Sequence, residues 1–184
     1  MEGETKQQKQ LPMYIQQDGR YKTIAGNASD EVKQTLADVL CTFMGRGRGF
    51  ADAIGGRVRI TDANIQGKVD EPEKLEAKVV CEIDVEEDML NGGGNIHGGC
   101  SAYLIDVCST LPIMALIKAT NREGLGGVSQ VIDVVYHSPA RLGERLRIIS
   151  TTMSLGARAM SARCEIWNQT HHRLVASGSN NSQI

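Results

Sequence analysis

From Cys100 to Ile117 the sequence carries one charged residue, Asp106. A helix that is apolar nearly all round has to be enclosed, and a lone carboxylate inside it costs on the order of several kcal/mol unless it is compensated or used. The run is preceded by Asn91-Gly-Gly-Gly-Asn-Ile-His-Gly-Gly99, with five glycines among the eight residues from Gly92 to Gly99. Without Cβ atoms, that backbone can come close to another group.

Gly98 and Gly99 fall where the helix would begin. The first N–H groups of a helix have no internal acceptor and carry the positive end of its dipole, so this mouth suits a negatively charged or strongly polarised oxygen, as in an oxyanion hole. Asp106 comes nine residues after His97, roughly 13 Å along the axis at the α-helical rise. It cannot serve the mouth of its own helix. A carboxylate that works with the mouth must come from a second copy of the chain, in a homodimer with antiparallel central helices.

The rest of the chain supplies the enclosure. Ser29 is an N-cap for a helix over 30–44, with Val32, Leu36, Val39, Leu40 and Phe43 as its apolar stripe. Gly45-Arg-Gly-Arg-Gly49 ends that helix as a linker with solvated arginines. Alternation predicts strands over 57–63 and 75–85, joined by a loop over 64–74. In the second strand Val79, Cys81, Ile83 and Val85 share one face, opposite Glu82, Asp84 and Glu86. Four strands follow the central helix, over 128–136, 145–154, 157–167 and 174–180, with turns at Gly156 and 168–173. One buried helix and a run of antiparallel strands imply an α+β fold, a sheet wrapped round the helix, with an additional N-terminal helix.

At 184 residues, with 41% hydrophobic and 23% charged residues, the chain fits one soluble domain over 29–184 after a polar, flexible segment over 1–28. A net charge of -2 gives no case for nucleic acid. Cys41, Cys81, Cys100, Cys108 and Cys164 are scattered and odd in number, which reads as buried thiols in a reducing compartment. His137, His171 and His172 fit no ligand spacing, so no metal is assigned. Asp106, Pro112 and several hydroxyls argue against a membrane span. Neither end of the chain reads as an address, which makes the cytoplasm the expected location and the mitochondrion the alternative.

Asn91, His97-Gly98-Gly99 and Asp106, followed by Gly127-Val128-Ser129 and Ser138-Pro139-Ala140-Arg141-Leu142-Gly143-Glu144, resemble the hotdog-fold acyl-coenzyme A thioesterases. The resemblance spans about 49–179. It implies the hotdog fold, hydrolysis of an acyl-coenzyme A thioester, and a homodimer with a shared active site, with tetramers also known in what it resembles. Coenzyme A would be part of the substrate, so no separate cofactor is implied.

The resemblance also implies roles. Asp106 would activate water as a general base, or attack directly as a nucleophile; its isolation among apolar residues points the same way. Gly98 would give its N–H to the thioester carbonyl. His97 would shape the loop and reach the thioester sulfur. Asn91 would place water or thioester, with a loop-capping amide as the alternative. Ser129 would hold the attacking water, an assignment that rests on the resemblance alone. Arg141 and Arg158 match basic positions that would meet coenzyme A phosphates, and both also read as ordinary exposed arginines. Two other readings stay open: a hydratase or dehydratase acting on acyl thioesters, and a non-catalytic acyl-coenzyme A-binding protein. The chain departs from the family pattern by extra residues around 121–126 and by a C-terminal tail without basic residues.

Overall fold

The computed structural model describes residues 20–44, 49–122 and 127–183. Helix α1 spans Asp30–Met44, α2 Asp52–Gly55 and α3 Gly98–Ala119. The strands are β1 Arg59–Gly67, β2 Leu75–Asp84, β3 Val128–Tyr136, β4 Arg145–Leu155, β5 Ala159–Asn168 and β6 Arg173–Gln183. They pair antiparallel throughout, in the order β1-β2-β4-β5-β6-β3.

Helix α3 is the core element. It touches all six strands, which requires the sheet to curl round it. Leu104, Ile105, Leu111 and Ile113 are buried completely or nearly so. Helix α1 covers another flank with Val32 and Leu36, and Lys118 near the end of α3 pairs with Glu31 at 3.3 Å. Among the described residues α3 is the one helix long and apolar enough to cross a membrane; here that apolar surface is the domain's core. In β2 the apolar face read from the sequence is the inner one, with Val79, Cys81 and Ile83 buried.

Several boundaries differ from expectation for identifiable reasons. β1 runs on to Gly67 instead of ending at Ala63, because 64–67 keep pairing with 75–78. The Asn27 side chain occupies the outer edge of β1: its amide donates to the Ile65 carbonyl at 3.0 Å and its carbonyl accepts from the Ile65 N–H at 2.8 Å. Residues 20–28, assigned above to the N-terminal segment, thus pack on the domain, with Ile24 and Ala28 buried; 1–19 lie outside the described residues. So do 45–48 of the arginine-glycine linker and 123–126 of the extra segment. Helix α2 was not foreseen. β5 starts at Ala159, since 156–158 turn the chain and the Gly156 N–H donates to the Ala159 carbonyl at 2.9 Å.

The 138–144 turn is held by a buried carboxylate. Glu144 Oε2 accepts from the Arg141 N–H at 2.8 Å and from the Asn168 amide at 2.6 Å, and Oε1 lies 2.9 Å from His171 Nε2. Gly143, at φ 78°, makes the turn possible. The Ile96 N–H donates to the Ala140 carbonyl at 2.7 Å, which ties this turn to the loop before α3.

Burial alone would raise the Glu144 pKa, but the Arg141 N–H, the Asn168 amide and His171 outweigh it and hold the carboxyl below its ordinary range. A depressed folded pKa contributes stability above the unfolded value of about 4.3 and loses it as pH falls toward the folded value. Glu144→Gln should therefore cost about 1–3 kcal/mol at neutral pH. The gap from wild type, followed by urea unfolding, should narrow as the pH drops below about 4.

Candidate functional site

Asp106 is half-buried on α3, and its Oδ1 accepts from the Ser129 hydroxyl at 2.8 Å and the Asn180 amide at 3.1 Å. That amide also lies 3.1 Å from Ser129 Oγ. Asn180 is fully buried and is oriented in turn by Ser182, whose hydroxyl donates to the Asn180 side-chain carbonyl at 3.1 Å. The carboxylate is thus held between β3 and β6.

Ser129 faces Asp106 because β3 is irregular. Ile132 pairs with Asn180 and Ser129 with Ser182, and the register shifts by one residue between Ser129 and Val131. In a regular strand, residues three apart point to opposite faces. The extra residue turns Ser129 to the inner face beside Asp106.

The mouth of α3 has its own construction. His97 is the N-cap, and its Nδ1 accepts from the Gly99 N–H at 2.9 Å. An accepting Nδ1 carries no proton, so the neutral ring has its hydrogen on Nε2. The Cys100 N–H is taken by the His97 carbonyl at 2.9 Å. Among the hydrogen bonds of the described residues, the Gly98 N–H has no acceptor, so it is the donor this mouth offers. The Tyr136 hydroxyl, at the far end of β3, donates to the Gly98 carbonyl at 3.1 Å, and a Cβ on Gly98 would lie 3.2 Å from the tyrosine ring. Cys100 is no competing nucleophile, since burial and the charge of Asp88 push its thiol up to about 11.

The other candidates divide between the two ends of α3. Asn91 closes the glycine loop: its side-chain carbonyl accepts from Gly93 N–H at 2.8 Å and Asn95 N–H at 3.3 Å. This is the loop-capping arrangement, and the amide nitrogen is left over for other work. Arg141 is exposed, and its backbone bridges Asn95 beside the mouth. Arg158 is exposed in the β4–β5 hairpin at the opposite end, where Arg122 at the end of α3 donates to the Leu155 carbonyl at 3.0 Å. Within one chain, Asp106, Ser129 and Asn180 form one group, and Asn91, His97, Gly98 and Arg141 another. Eight residues of helix, about 12 Å, separate the two.

Asn180 and Ser182 were missed from the sequence. The available signal was a run of small and polar residues in the last strand, Ser177-Gly-Ser-Asn-Asn-Ser182, continuing past the predicted end at 180.

A curled antiparallel sheet enclosing one long helix is the hotdog fold. Comparison with known proteins agrees. The sequence pattern of the thioesterase superfamily matches residues 93–175. Acyl-coenzyme A thioesterase 13 of Mus musculus is 36% identical over 107 residues, 58% of this chain and 70% of that protein. The crystal structure of zebra fish thioesterase superfamily member 2 superposes with a TM-score of 0.64 at 31% identity, over 81% of this chain and 97% of that one. A hypothetical thioesterase from Streptococcus pneumoniae, solved with coenzyme A, gives a TM-score of 0.52 at 27% identity, over 58% of this chain and 77% of that one. The chain belongs to the thioesterase superfamily and is a thioester hydrolase with the hotdog fold.

The buried network allows a stability test independent of activity. Asn180→Ala leaves the Ser182 hydroxyl without its acceptor and Asp106 without one donor. It should lower the unfolding free energy by about 1–3 kcal/mol in urea denaturation, while Ser182→Ala should cost less.

Proposed function

We propose that the protein hydrolyses acyl-coenzyme A thioesters at a site shared between two subunits. The observation that carries this is the separation just described. The carboxylate and the free N–H lie about 12 Å apart on one rigid helix, so they meet on one carbonyl only across an antiparallel pair of α3 helices. The outer edge of β3 supports such a pair: Val128, Val131, Val135 and Tyr136 are exposed along a strand with no neighbour on that side among the described residues.

In this mechanism Asp106 takes a proton from a water held with the help of Ser129. The hydroxide adds to the thioester carbonyl carbon, and the Gly98 N–H of the opposite subunit stabilises the oxyanion. Collapse breaks the carbon–sulfur bond, and the proton held by Asp106 passes to the departing thiolate. His97 has its Nε2–H available to the sulfur, because Nδ1 is committed to Gly99. Asn180 keeps Asp106 and Ser129 in register. Antiparallel pairing brings Arg141 of one subunit and Arg158 of the other toward the same end, where both guanidinium groups suit the phosphates of coenzyme A.

Two variants test the shared site. Asp106→Asn should retain the fold and lower thiol release from acyl-coenzyme A by roughly 10²–10⁴-fold. Gly98→Pro deletes the donor at a first-turn position, after a residue already at ψ 136°, and its Cβ requires the exposed Tyr136 ring to yield by a few tenths of an ångström; it should also be nearly inactive. Unfolding and reassembling the two inactive proteins together should restore about a quarter of wild-type activity, since half of the dimers are then mixed and each has one intact site. No recovery from a mixture shown to contain mixed dimers would refute the shared site. Wild-type turnover by Asp106→Asn would refute the role of the carboxylate.

A further inference from the structure

The acids Glu82, Asp84, Glu86, Glu87 and Asp88 lead directly into the loop before α3. Arginines meet this run in two places. Arg145 Nε takes Asp84 at 2.7 Å. Arg57 takes the far end: its Nη1 and Nη2 donate to the two Asp88 oxygens at 3.1 and 2.7 Å, and its Nε lies 3.4 Å from Glu86 Oε1. A two-pronged pair fixes direction as well as distance. The Arg57 and Asp88 side chains are 27% and 43% exposed, so water screens the pair and its share of the overall stability is small.

Each partner of this pair is mounted firmly. The Arg57 N–H donates to the Ile54 carbonyl at 3.1 Å in the turn that closes α2, and Val58 after it is buried. Helix α2 is pressed against both larger helices: a Cβ on Gly55 would lie 2.7 Å from Met44 Cβ and 2.6 Å from the Tyr103 hydroxyl. Asp88 sits in a short 3-10 turn over Glu87–Met89. The Met89 carbonyl accepts from the His97 N–H at 2.8 Å. The His97 carbonyl takes the Cys100 and Ser101 N–H groups at 2.9 and 3.1 Å, and it shares a peptide plane with the Gly98 N–H. The chain therefore enters the mouth of α3 held from two sides, by Ala140 on Ile96 and by Met89 on His97. Glu144 braces the first hold. Arg57 braces the second, close enough to the first turn of α3 that it and Asp88 act in opposite directions on the Cys100 thiol.

We propose that Arg57 is a positioning residue for the oxyanion donor: by locking the 87–89 turn to the end of α2 it keeps the Met89 carbonyl on His97, and through His97 it aims the Gly98 N–H. The proposal rests on the reading of that N–H as the group that stabilises the oxyanion. A donor out of line loses stabilisation of the transition state while the substrate still binds, so the loss falls on kcat and leaves KM in place.

The test measures kcat and KM for thiol release from acetyl-, octanoyl- and phenylacetyl-coenzyme A. The proteins compared are the wild type, Arg57→Met, Asp88→Ala, Gly98→Pro, Arg57→Met with Asp88→Ala, and Arg57→Met with Gly98→Pro. Arg57→Met keeps the aliphatic stem and removes the fork; it should lower kcat roughly tenfold, with KM within about twofold. Asp88→Ala reports on the same pair from its more exposed end and should lower kcat by a similar factor, and the double variant should fall no further than either. In Gly98→Pro no donor is left to aim, so adding Arg57→Met should change the residual kcat by less than about twofold. Wild-type kcat in Arg57→Met or Asp88→Ala would overturn the proposal, as would an effect confined to KM. A further tenfold loss in the Gly98→Pro background would also overturn it, because it would mark a general loosening of the fold. Wild-type turnover by Gly98→Pro, or a wild type that releases thiol from none of the three thioesters, would instead sink the proposed function, and the role of Arg57 with it.

Discussion

The hydrogen bonds from Ser129 and Asn180 to Asp106 are the interaction on which the rest of this structure depends. A carboxylate in the middle of an apolar helix opposes burial, and the helix must still be buried for the sheet to have a core. The conflict is met locally. β3 and β6 present Ser129 and Asn180 where the carboxylate lies, and the apolar faces of the helix pack into the hydrophobic core. Elsewhere β6 is small on its inner face, with Ala176 and Gly178 opposite α3; a Cβ on Gly178 would lie 3.4 Å from Ile105 Cγ2 and collide with the Asp133 carbonyl at 2.2 Å. The small residues bring the strand close enough for the Asn180 amide to reach the helix.

At the other end of the apparatus the glycines have a different task. His97 occupies the Gly99 N–H and the Cys100 N–H returns to the His97 carbonyl, so capping satisfies the helix start except at Gly98. A helix mouth capped completely would bind nothing, and one left fully open would lose cap stabilisation of about 0.5–2 kcal/mol. This cap leaves one directed donor. Tyr136 anchors the same residue, its hydroxyl donating to the Gly98 carbonyl.

What could be read from the sequence follows the range of the forces involved. The apolar run, the alternation in β2 and the stripe of α1 are local patterns, and the helices and strands they imply are present. Asp106 stood out because it is a single charge in that run, against the plainer alternative of a helix carboxylate that ties down neighbouring backbone. Ser129 did not stand out from its own residues, since its inward direction comes from a one-residue register shift against β6. Asn180 and Asn181 are neighbours of one type, and only the pairing decides which of them is buried. The extension of β1 depends on Asn27, far away in the chain. Asn91 shows the limit of residue type: its side-chain carbonyl closes the glycine loop, which its residue type alone could not distinguish from a role toward substrate.

β3 ties these levels together. Ser129 near its start holds Asp106, and Tyr136 at its end holds Gly98, so one strand sets both the carboxylate and the helix mouth relative to the sheet. Among the described residues the same strand is the edge of the sheet, bonded to β6 on one side. An exposed apolar edge strand invites another strand, and most proteins blunt such an edge with charge, proline or a covering element. Here Val128, Val131, Val135 and Tyr136 stay uncovered among the described residues. A partner seated on that edge would meet the strand that positions both the carboxylate and the helix mouth. One helix keeps the carboxylate and the mouth about 12 Å apart, and among the described residues the strand that anchors both is also the apolar edge of the sheet.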